Sequence, residues 1–179
     1  MKRRDQEKGV GAVDVKGLSR AYDVRVLTDA DVPSVLALCE GNPLYYEHCP
    51  PAPSAQGVRE EMRALPEGKR MRDKFYLGFY GGGALIAVTD LILRFPDDET
   101  AFIGFFMADK RVQGRGVSSA IVAEMLSRLG EEFRFVRLGY VRGNEQSRRF
   151  WIKNGFEPTG VTTRTQAYEI VVMQRALRA

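Results

Sequence analysis

The sequence contains few of the residues that build metal centres or disulfide frameworks. Among its 179 residues there are two cysteines, Cys39 and Cys49, and one histidine, His48. Two cysteines without metal-ligand spacing indicate neither a zinc site nor a disulfide scaffold, and a histidine-based triad would depend on His48 alone. We therefore expect no metal cofactor.

Long apolar runs are also missing. No stretch approaches the roughly 20 residues that span a membrane, and the basic opening of the chain lacks the apolar segment of a secretion signal. Residues 1–21 are interpreted as a mobile basic tail, and the folded part is predicted to begin near Tyr22. We expect a cytoplasmic protein, monomeric or homodimeric, without a nucleic-acid or membrane partner.

The remaining chain has the composition of one globular domain, residues 22–179, with 44% apolar and 28% charged residues overall. Apolar periodicity and turn residues predict an α/β (α+β) domain with a mixed sheet, in the order βααβββαβαββ. Strands are predicted over 24–27, 74–80, 84–94, 102–108, 135–141, 161–163 and 168–174, and helices over 28–40, 54–65, 117–130 and 145–154.

The most informative segment joins the strand ending at Ala108 to the helix beginning at Val117. Between them lies a basic loop with two glycines, Gly114 and Gly116. Glycine has no Cβ, so the loop N–H groups can approach a ligand closely. The first turn of the following helix adds unpaired N–H groups and the positive end of its dipole. This arrangement predicts a site for a phosphate-bearing ligand.

Other glycine-loop families fit less well. The pattern Gly114-x-Gly116-x-x-Ser119 lacks the third glycine of a dinucleotide fingerprint, and the next strand ends in Tyr140-Val141 instead of an acidic residue. No glycine is followed by the Lys-Ser/Thr pair of a Walker loop. A structural helix start with incidental glycines is the remaining alternative.

A second motif lies closer to the C-terminus. It reads Asn144-x-x-Ser147 and then Phe150-Trp151-x-Lys153-Asn154-Gly155-Phe156. Together with Arg111-x-x-Gly114-x-Gly116 it resembles the GCN5-related N-acetyltransferase superfamily, from about Tyr22 to the C-terminus. The resemblance implies the acyl-CoA N-acyltransferase fold, a mixed seven-stranded sheet with splayed central parallel strands and about four flanking helices.

The resemblance also implies where acetyl-CoA binds. In this superfamily the pantetheine arm pairs with the end of the first splayed strand, here Met107 and Ala108. The pyrophosphate would be held by the N–H groups of Gln113, Gly114, Arg115, Gly116, Val117 and Ser118, with charge from Arg111, Arg115 and Lys153. The pantetheine channel would be lined by Asn144, Ser147 and Trp151, although helix capping is an equal alternative for Asn144.

The general acid is open because the sequence departs from the family pattern. Trp151 stands where the family often has a tyrosine that protonates the departing thiolate, and an indole N–H cannot do so near neutral pH. Tyr140 is a possible acid, with Tyr168 as a second choice. Alternatively no acid is needed, because a thiolate is a tolerable leaving group.

The general base is equally open. Asp90 interrupts an otherwise apolar strand and is the first choice. Glu47 and His48 are alternatives, because they lie in a segment where the family places substrate-recognition elements. The function predicted is direct transfer of an acetyl group from acetyl-CoA to a primary amine of a small molecule or peptide. A catalytically silent acyl-CoA sensor and an O-acyltransferase are the alternatives.

Overall fold

A computed structural model describes residues 13–177 of the chain. Its strands are β1 (Asp23–Val26), β2 (Lys74–Gly81), β3 (Ala84–Leu93), β4 (Thr100–Ala108), β5 (Phe135–Val141), β6 (Glu157–Arg164) and β7 (Glu169–Ala176). Its α-helices are α1 (Val32–Glu40), α2 (Pro43–His48), α3 (Ala55–Arg63), α4 (Val117–Leu129) and α5 (Glu145–Lys153). The strands form one mixed sheet in the order β1-β2-β3-β4-β5-β7-β6, which confirms the predicted fold class.

One helix was not predicted. The sequence predicts no helix between residues 40 and 54, but α2 lies in this segment. Pro43 stands at the start of this helix, where a missing N–H costs nothing and the fixed φ favours helix. The other helix starts follow the sequence: Thr28 and Asp31 form the predicted capping box ahead of α1, and Ser54 accepts the Gly57 N–H at 3.0 Å to cap α3.

The central feature of the sheet is an interrupted parallel pair. β4 pairs with β5 only from Thr100 with Phe135 to Ile103 with Leu138. Beyond that point residues 104–108 and 139–141 continue as strands without pairing with each other. The two strands are therefore splayed, as predicted, and their facing edges carry backbone N–H and C=O groups that a ligand can use.

A β-bulge lies where this pairing ends. On β3, Asp90 pairs with Phe105 and Leu91 pairs with Ile103, so Gly104 is an additional residue on β4. Gly104 is exposed although it lies in a central strand. A Cβ at this position would lie 2.6 Å from Asp90 Oδ2, so only glycine fits beside that carboxylate.

The sheet separates two hydrophobic clusters. Helix α4 buries its apolar side, including Ile121 and Met125, on one face together with Trp151 of α5. Helices α1 and α3 bury residues such as Val35 and Val58 on the other face. Each fully buried large side chain contributes about 1.5–3 kcal/mol. The two clusters hold the ends of β4 and β5 between helices on both sides.

The folded region begins before the predicted Tyr22. Residues Val15–Leu18 form a 3-10 turn, and the Leu18 side chain is fully buried in the cluster that contains α4. The Ser19 hydroxyl donates a hydrogen bond to the Glu124 carboxylate of α4. Part of the predicted tail therefore packs on the domain, and residues 1–12 lie outside the described residues. Within 13–177 no helix is long and apolar enough to cross a membrane.

This packing generates a stability prediction. We expect Leu18→Ala to lower the free energy of unfolding by about 3 kcal/mol, because a fully buried leucine is replaced by a cavity. The measurement is urea denaturation followed by circular dichroism. Leu65→Ala is the matched control, since Leu65 is 36% exposed and should lose far less stability. Equal losses in the two variants would show that residues 15–18 are not part of the folded core.

Candidate active site

A cavity of about 490 Å³ lies at the splayed ends of β4 and β5. It is lined from β4 by residues 106–108, from the following loop and α4 by Gln113, Gly114, Gly116 and Ser118, from α5 by Asn144, Ser147, Trp151 and Lys153, and from the α1–α2 junction by residues 41–45. Ten of the predicted cofactor-binding residues therefore border one cavity. Among the predicted residues Arg111, Arg115 and Val117 do not line it.

The loop has the backbone geometry of an anion site. Gly114 and Gly116 have φ of 73° and 80°, values that side chains with a Cβ rarely adopt. A Cβ at either glycine would meet nothing within 4 Å, so the space beside them is open. The Ala120 N–H bonds to the Gly116 carbonyl at 2.9 Å, and the N–H groups of the preceding first turn have no such partner in a helix. These N–H groups and the helix dipole favour a negative charge here.

The basic side chains near the loop differ in what they contact. Lys110 and Lys153 line the cavity. Arg111 instead pairs with Asp109 at 2.7 Å, which holds the pKa of that carboxyl below its usual range. A contact between Arg111 and phosphate therefore stays a prediction that would require this ion pair to open or be shared. Lys110 was missed because an exposed lysine beside an arginine has no distinguishing sequence signal.

Both interpretations of Asn144 are compatible with its position. Its side-chain oxygen accepts the Ser147 N–H at 3.0 Å and caps α5, while the residue is buried and lines the cavity. Because the cap fixes the side chain at the first turn of α5, Asn144 and Ser147 are held on the side of the helix that borders the cavity.

Trp151 is part of an aromatic cluster. Its ring contacts Phe106, Phe150 and Phe156 edge to face, with centroid distances of 5.9, 4.9 and 5.2 Å. The side chain is buried and also lines the cavity. Trp151, at the family's tyrosine position, therefore closes one side of the cavity by packing. It has no hydroxyl that could protonate a leaving thiolate.

The tyrosines considered as acids lie elsewhere. Tyr140 is buried in the cluster that contains α4 and does not line the cavity. Tyr168, in the β6–β7 loop, is close enough to the Cys49 thiol that this neighbour, together with burial, raises its pKa to about 12. Tyr45 is the tyrosine that lines the cavity, and burial raises its pKa well above the ordinary value.

Asp90 lies in a buried ion pair. Its Oδ2 is 2.6 Å from Lys74 Nζ, and the Lys74 side chain is 1% exposed. Burial raises the pKa of Asp90, while the contact with Lys74 opposes that rise. Asp90 Oδ1 is buried without a hydrogen-bond partner. Asp90 lies against Gly104 at the end of the β4–β5 pairing, yet it does not line the cavity.

A second carboxylate, Glu61 of α3, was not predicted. It is solvent-exposed and accepts a hydrogen bond from Tyr76 at 3.3 Å, and partial desolvation raises its pKa. Its charge is one of the causes that raise the pKa values of Tyr45 and Tyr168. Like Asp90, Glu61 does not line the cavity, whereas Tyr45 does. The sequence signal is weak: Glu61 lies three residues after Val58 and directly before Met62, at the edge of the buried side of α3.

The two other predicted catalytic candidates are further from the cavity. Glu47 is exposed and borders a separate concave surface with Cys39 and Tyr46. His48 ends α2 and does not line the main cavity. Within residues 13–177 no group of three or more His, Cys, Asp or Glu side chains is placed to hold a metal ion.

Sequence comparison identifies the family. The profile of the acetyltransferase (GNAT) family matches residues 42–156, which include both sequence motifs, the splayed strands and most of the cavity. The chain belongs to this family. No curated protein sequence matches the chain.

Solved structures show the same fold at low identity. An acetyltransferase from Thermus thermophilus is 17% identical with a TM-score of 0.70, covering 87% of this chain and 97% of its own. The ribosomal-protein-S18-alanine N-acetyltransferase from Escherichia coli is 12% identical with a TM-score of 0.61, covering 87% and 94%. The PaiA N-acetyltransferase from Thermoplasma acidophilum, solved with coenzyme A, is 15% identical with a TM-score of 0.63, covering 86% and 98%.

The loop geometry generates a binding prediction. We expect Gly116→Ala to weaken CoA binding at least tenfold, because a Cβ would enter the space beside the helix N-terminus. Gly68→Ala is the matched control: Gly68 has φ of 79° against 80° for Gly116, and its Cβ would also meet nothing within 4 Å. The two variants should lose similar stability, of order 1 kcal/mol.

Calorimetric titration with CoA and thermal unfolding separate the two effects. If Gly116→Ala bound CoA as tightly as Gly68→Ala, the loop would not be the phosphate site.

Proposed function

We propose that the protein is an acetyl-CoA-dependent N-acetyltransferase that transfers the acetyl group directly to a primary amine. The observation that carries this proposal is the unpaired end of β4 and β5 beside a loop whose glycines and helix start favour an anion. A long ligand with amide groups in one part and phosphates in another matches both features. The neighbours described as N-acetyltransferases support an amine acceptor.

In this proposal the cofactor is held in three parts. The N–H groups of residues 113–118 bind the pyrophosphate, with Lys110 and Lys153 as the cationic side chains that line the cavity. Met107 offers backbone groups to the pantetheine arm at the unpaired edge of β4. The carbonyl of Ala108 already accepts the side-chain amides of Asn42 and Gln113, so the arm would have to share or replace one of these bonds there. On the other side of the cavity the arm meets Asn144, Ser147 and Trp151.

Proton removal is assigned to Glu61. The amine must be neutral when its nitrogen attacks the thioester carbon, so the ammonium proton has to pass to a base. Glu61 is exposed, so an acceptor can reach it, and partial desolvation raises its pKa, which makes the carboxylate a stronger base. Asp90 is the alternative, but its charge is already balanced by Lys74 at 2.6 Å. We propose Asp90 and Lys74 as the pair that fixes the β-bulge.

The leaving group requires less assistance. As the new C–N bond forms, the C–S bond breaks and the electron pair leaves with sulfur. The proton that the attacking nitrogen then loses passes to the thiolate, which gives the amide and the CoA thiol. A thiol has a pKa of about 8.5, so the thiolate can leave without a dedicated acid. Trp151 and the aromatic residues around it give this part of the cavity an apolar wall.

One observation favours a second function, a catalytically silent acyl-CoA sensor. Trp151 occupies the position of the family's acid, and Tyr140 lies outside the cavity. The test is thiol release from acetyl-CoA with a panel of primary amines, peptides and matched alcohols. We expect CoA binding with release that depends on an amine. Binding without release for any acceptor would favour the sensor, and release only with alcohols would favour an O-acyltransferase.

The assignment of the base generates a pH prediction. A base acts when deprotonated, so the raised pKa of Glu61 should place the acidic limb of kcat above the ordinary carboxyl range. Glu61→Gln should lower kcat about 100-fold and remove this limb, with CoA affinity unchanged. The measurement is a pH–rate profile with the amine found active above.

Two variants serve as comparisons. Glu60→Gln changes the neighbouring carboxylate on α3, which bonds to Gln56, and should keep the wild-type profile. Asp90→Asn should keep the acidic limb and lose about 3 kcal/mol of stability, because it leaves Lys74 buried without its partner. If the limb vanished in Asp90→Asn and persisted in Glu61→Gln, Asp90 would be the base.

A further inference from the structure

Two side-chain amides connect parts of the site that are 71 positions apart in the chain. Gln113 Nε2 donates to Asn42 Oδ1 at 2.6 Å and to the Ala108 carbonyl at 3.0 Å. Asn42 Nδ2 donates to the same carbonyl at 3.2 Å and to the Leu38 carbonyl at 2.9 Å. We call the side chains of Asn42 and Gln113, together with the Ala108 carbonyl, the amide clamp.

The clamp has a defined orientation. Each side-chain amide has two N–H donors, and all four donors of the pair are used. Turning the Asn42 amide over would place its oxygen against two carbonyl oxygens and its NH2 group against that of Gln113, so three hydrogen bonds would be lost. The two side chains are therefore held in one arrangement, in which each depends on the other.

The clamp joins the proposed cofactor loop to α2. Gln113 directly precedes Gly114, while Asn42 directly precedes α2. Helix α2 provides Leu44 and Tyr45 to the cavity lining, and the Tyr45 ring packs edge to face on Phe105 of β4 at 5.7 Å.

Helix α2 has little support of its own. It has six residues, and Asn42 makes no side-chain capping bond to it. A helix this short is marginal without tertiary contacts. Its position at the cavity therefore depends on the packing of Tyr45 and Tyr46 against the cluster of α1 and α3 and on the clamp that holds the residue before it.

We propose that the amide clamp transmits cofactor binding to α2, so that the acceptor side of the site becomes ordered when the loop is occupied. This rests on the proposed function for the loop. Binding at residues 113–118 restrains Gln113; Gln113 restrains Asn42 and, through it, the start of α2. Asn42 and Gln113 are thus positioning residues that make acceptor binding depend on bound cofactor.

The test is hydrogen exchange with and without saturating CoA, followed by mass spectrometry of peptides covering 43–49 and 113–118. In the wild-type protein we expect CoA to slow exchange in both segments. In Asn42→Ala and in Gln113→Ala the factor by which CoA slows exchange over 43–49 should be about fivefold smaller. This change corresponds to the free energy of one net hydrogen bond. In the double variant the loss of this slowing should be no greater than in either single variant, because both side chains act through one contact.

Gln56→Ala is the control, since Gln56 also donates to a side chain, Glu60 at 2.8 Å, but lies on the exposed side of α3. In Gln56→Ala, CoA should slow exchange over 43–49 as much as it does in the wild-type protein. If CoA protected residues 113–118 and still slowed exchange over 43–49 as in the wild type in both clamp variants, the proposal that the clamp couples the two segments would be refuted. If CoA protected neither segment in the wild type, the proposed cofactor site itself would fail. Exchange in β3 and β4 reports whether each variant is folded.

Discussion

The interruption of the β4–β5 pairing is the constraint on which the site depends. Two adjacent parallel strands normally satisfy each other's backbone groups. Here four residue pairs form, and then both strands continue apart from each other. Gly104 adds a residue to β4 at that point, which bends the strand, and its missing Cβ leaves room for the Asp90 carboxylate. The cavity opens at the unpaired ends that result.

The two faces of the sheet supply different chemistry to this opening. On the side of α4 and α5, the glycine loop, the helix start and two lysines favour an anionic ligand. On the side of α1 and α3, Tyr45 lines the cavity, Glu61 accepts a hydrogen bond from Tyr76, and the charge of Lys74 is balanced by Asp90. The proposed transfer uses both faces, because the cofactor would lie against the first and a cationic amine would be received by the second.

Features that depend on neighbouring residues in the chain could be predicted from the sequence. The capping box at Thr28, the glycines of the loop and the Asn144 cap all act within a few positions, and the structure has each of them. The splayed strands were predicted through the family resemblance, and the family match and the shared fold agree with it. Helix α2 was missed because it is short and lies between Gly41 and three closely spaced prolines, Pro50, Pro51 and Pro53, which have the composition of a loop.

Features that depend on register and long-range contacts could not be predicted in the same way. Lys74 looks like a charge at the start of a strand, and only the antiparallel register of β2 and β3 brings it to Asp90. The contact between Asn42 and Gln113 has no sequence signal, because two polar side chains in loops are usually solvated. Leu18 was assigned to a tail because its partners lie on α4, more than 100 residues later.

The most direct test of the account is a crystal structure of the complex with acetyl-CoA. The account predicts pyrophosphate oxygens about 2.9 Å from the backbone nitrogens of residues 113–118. It also predicts the pantetheine arm between residues 104–108 and 139–141, with the thioester beside Trp151 and open to the α1–α3 face. A cofactor bound elsewhere, or a β4–β5 pair that closes along its whole length in the complex, would contradict the central claim.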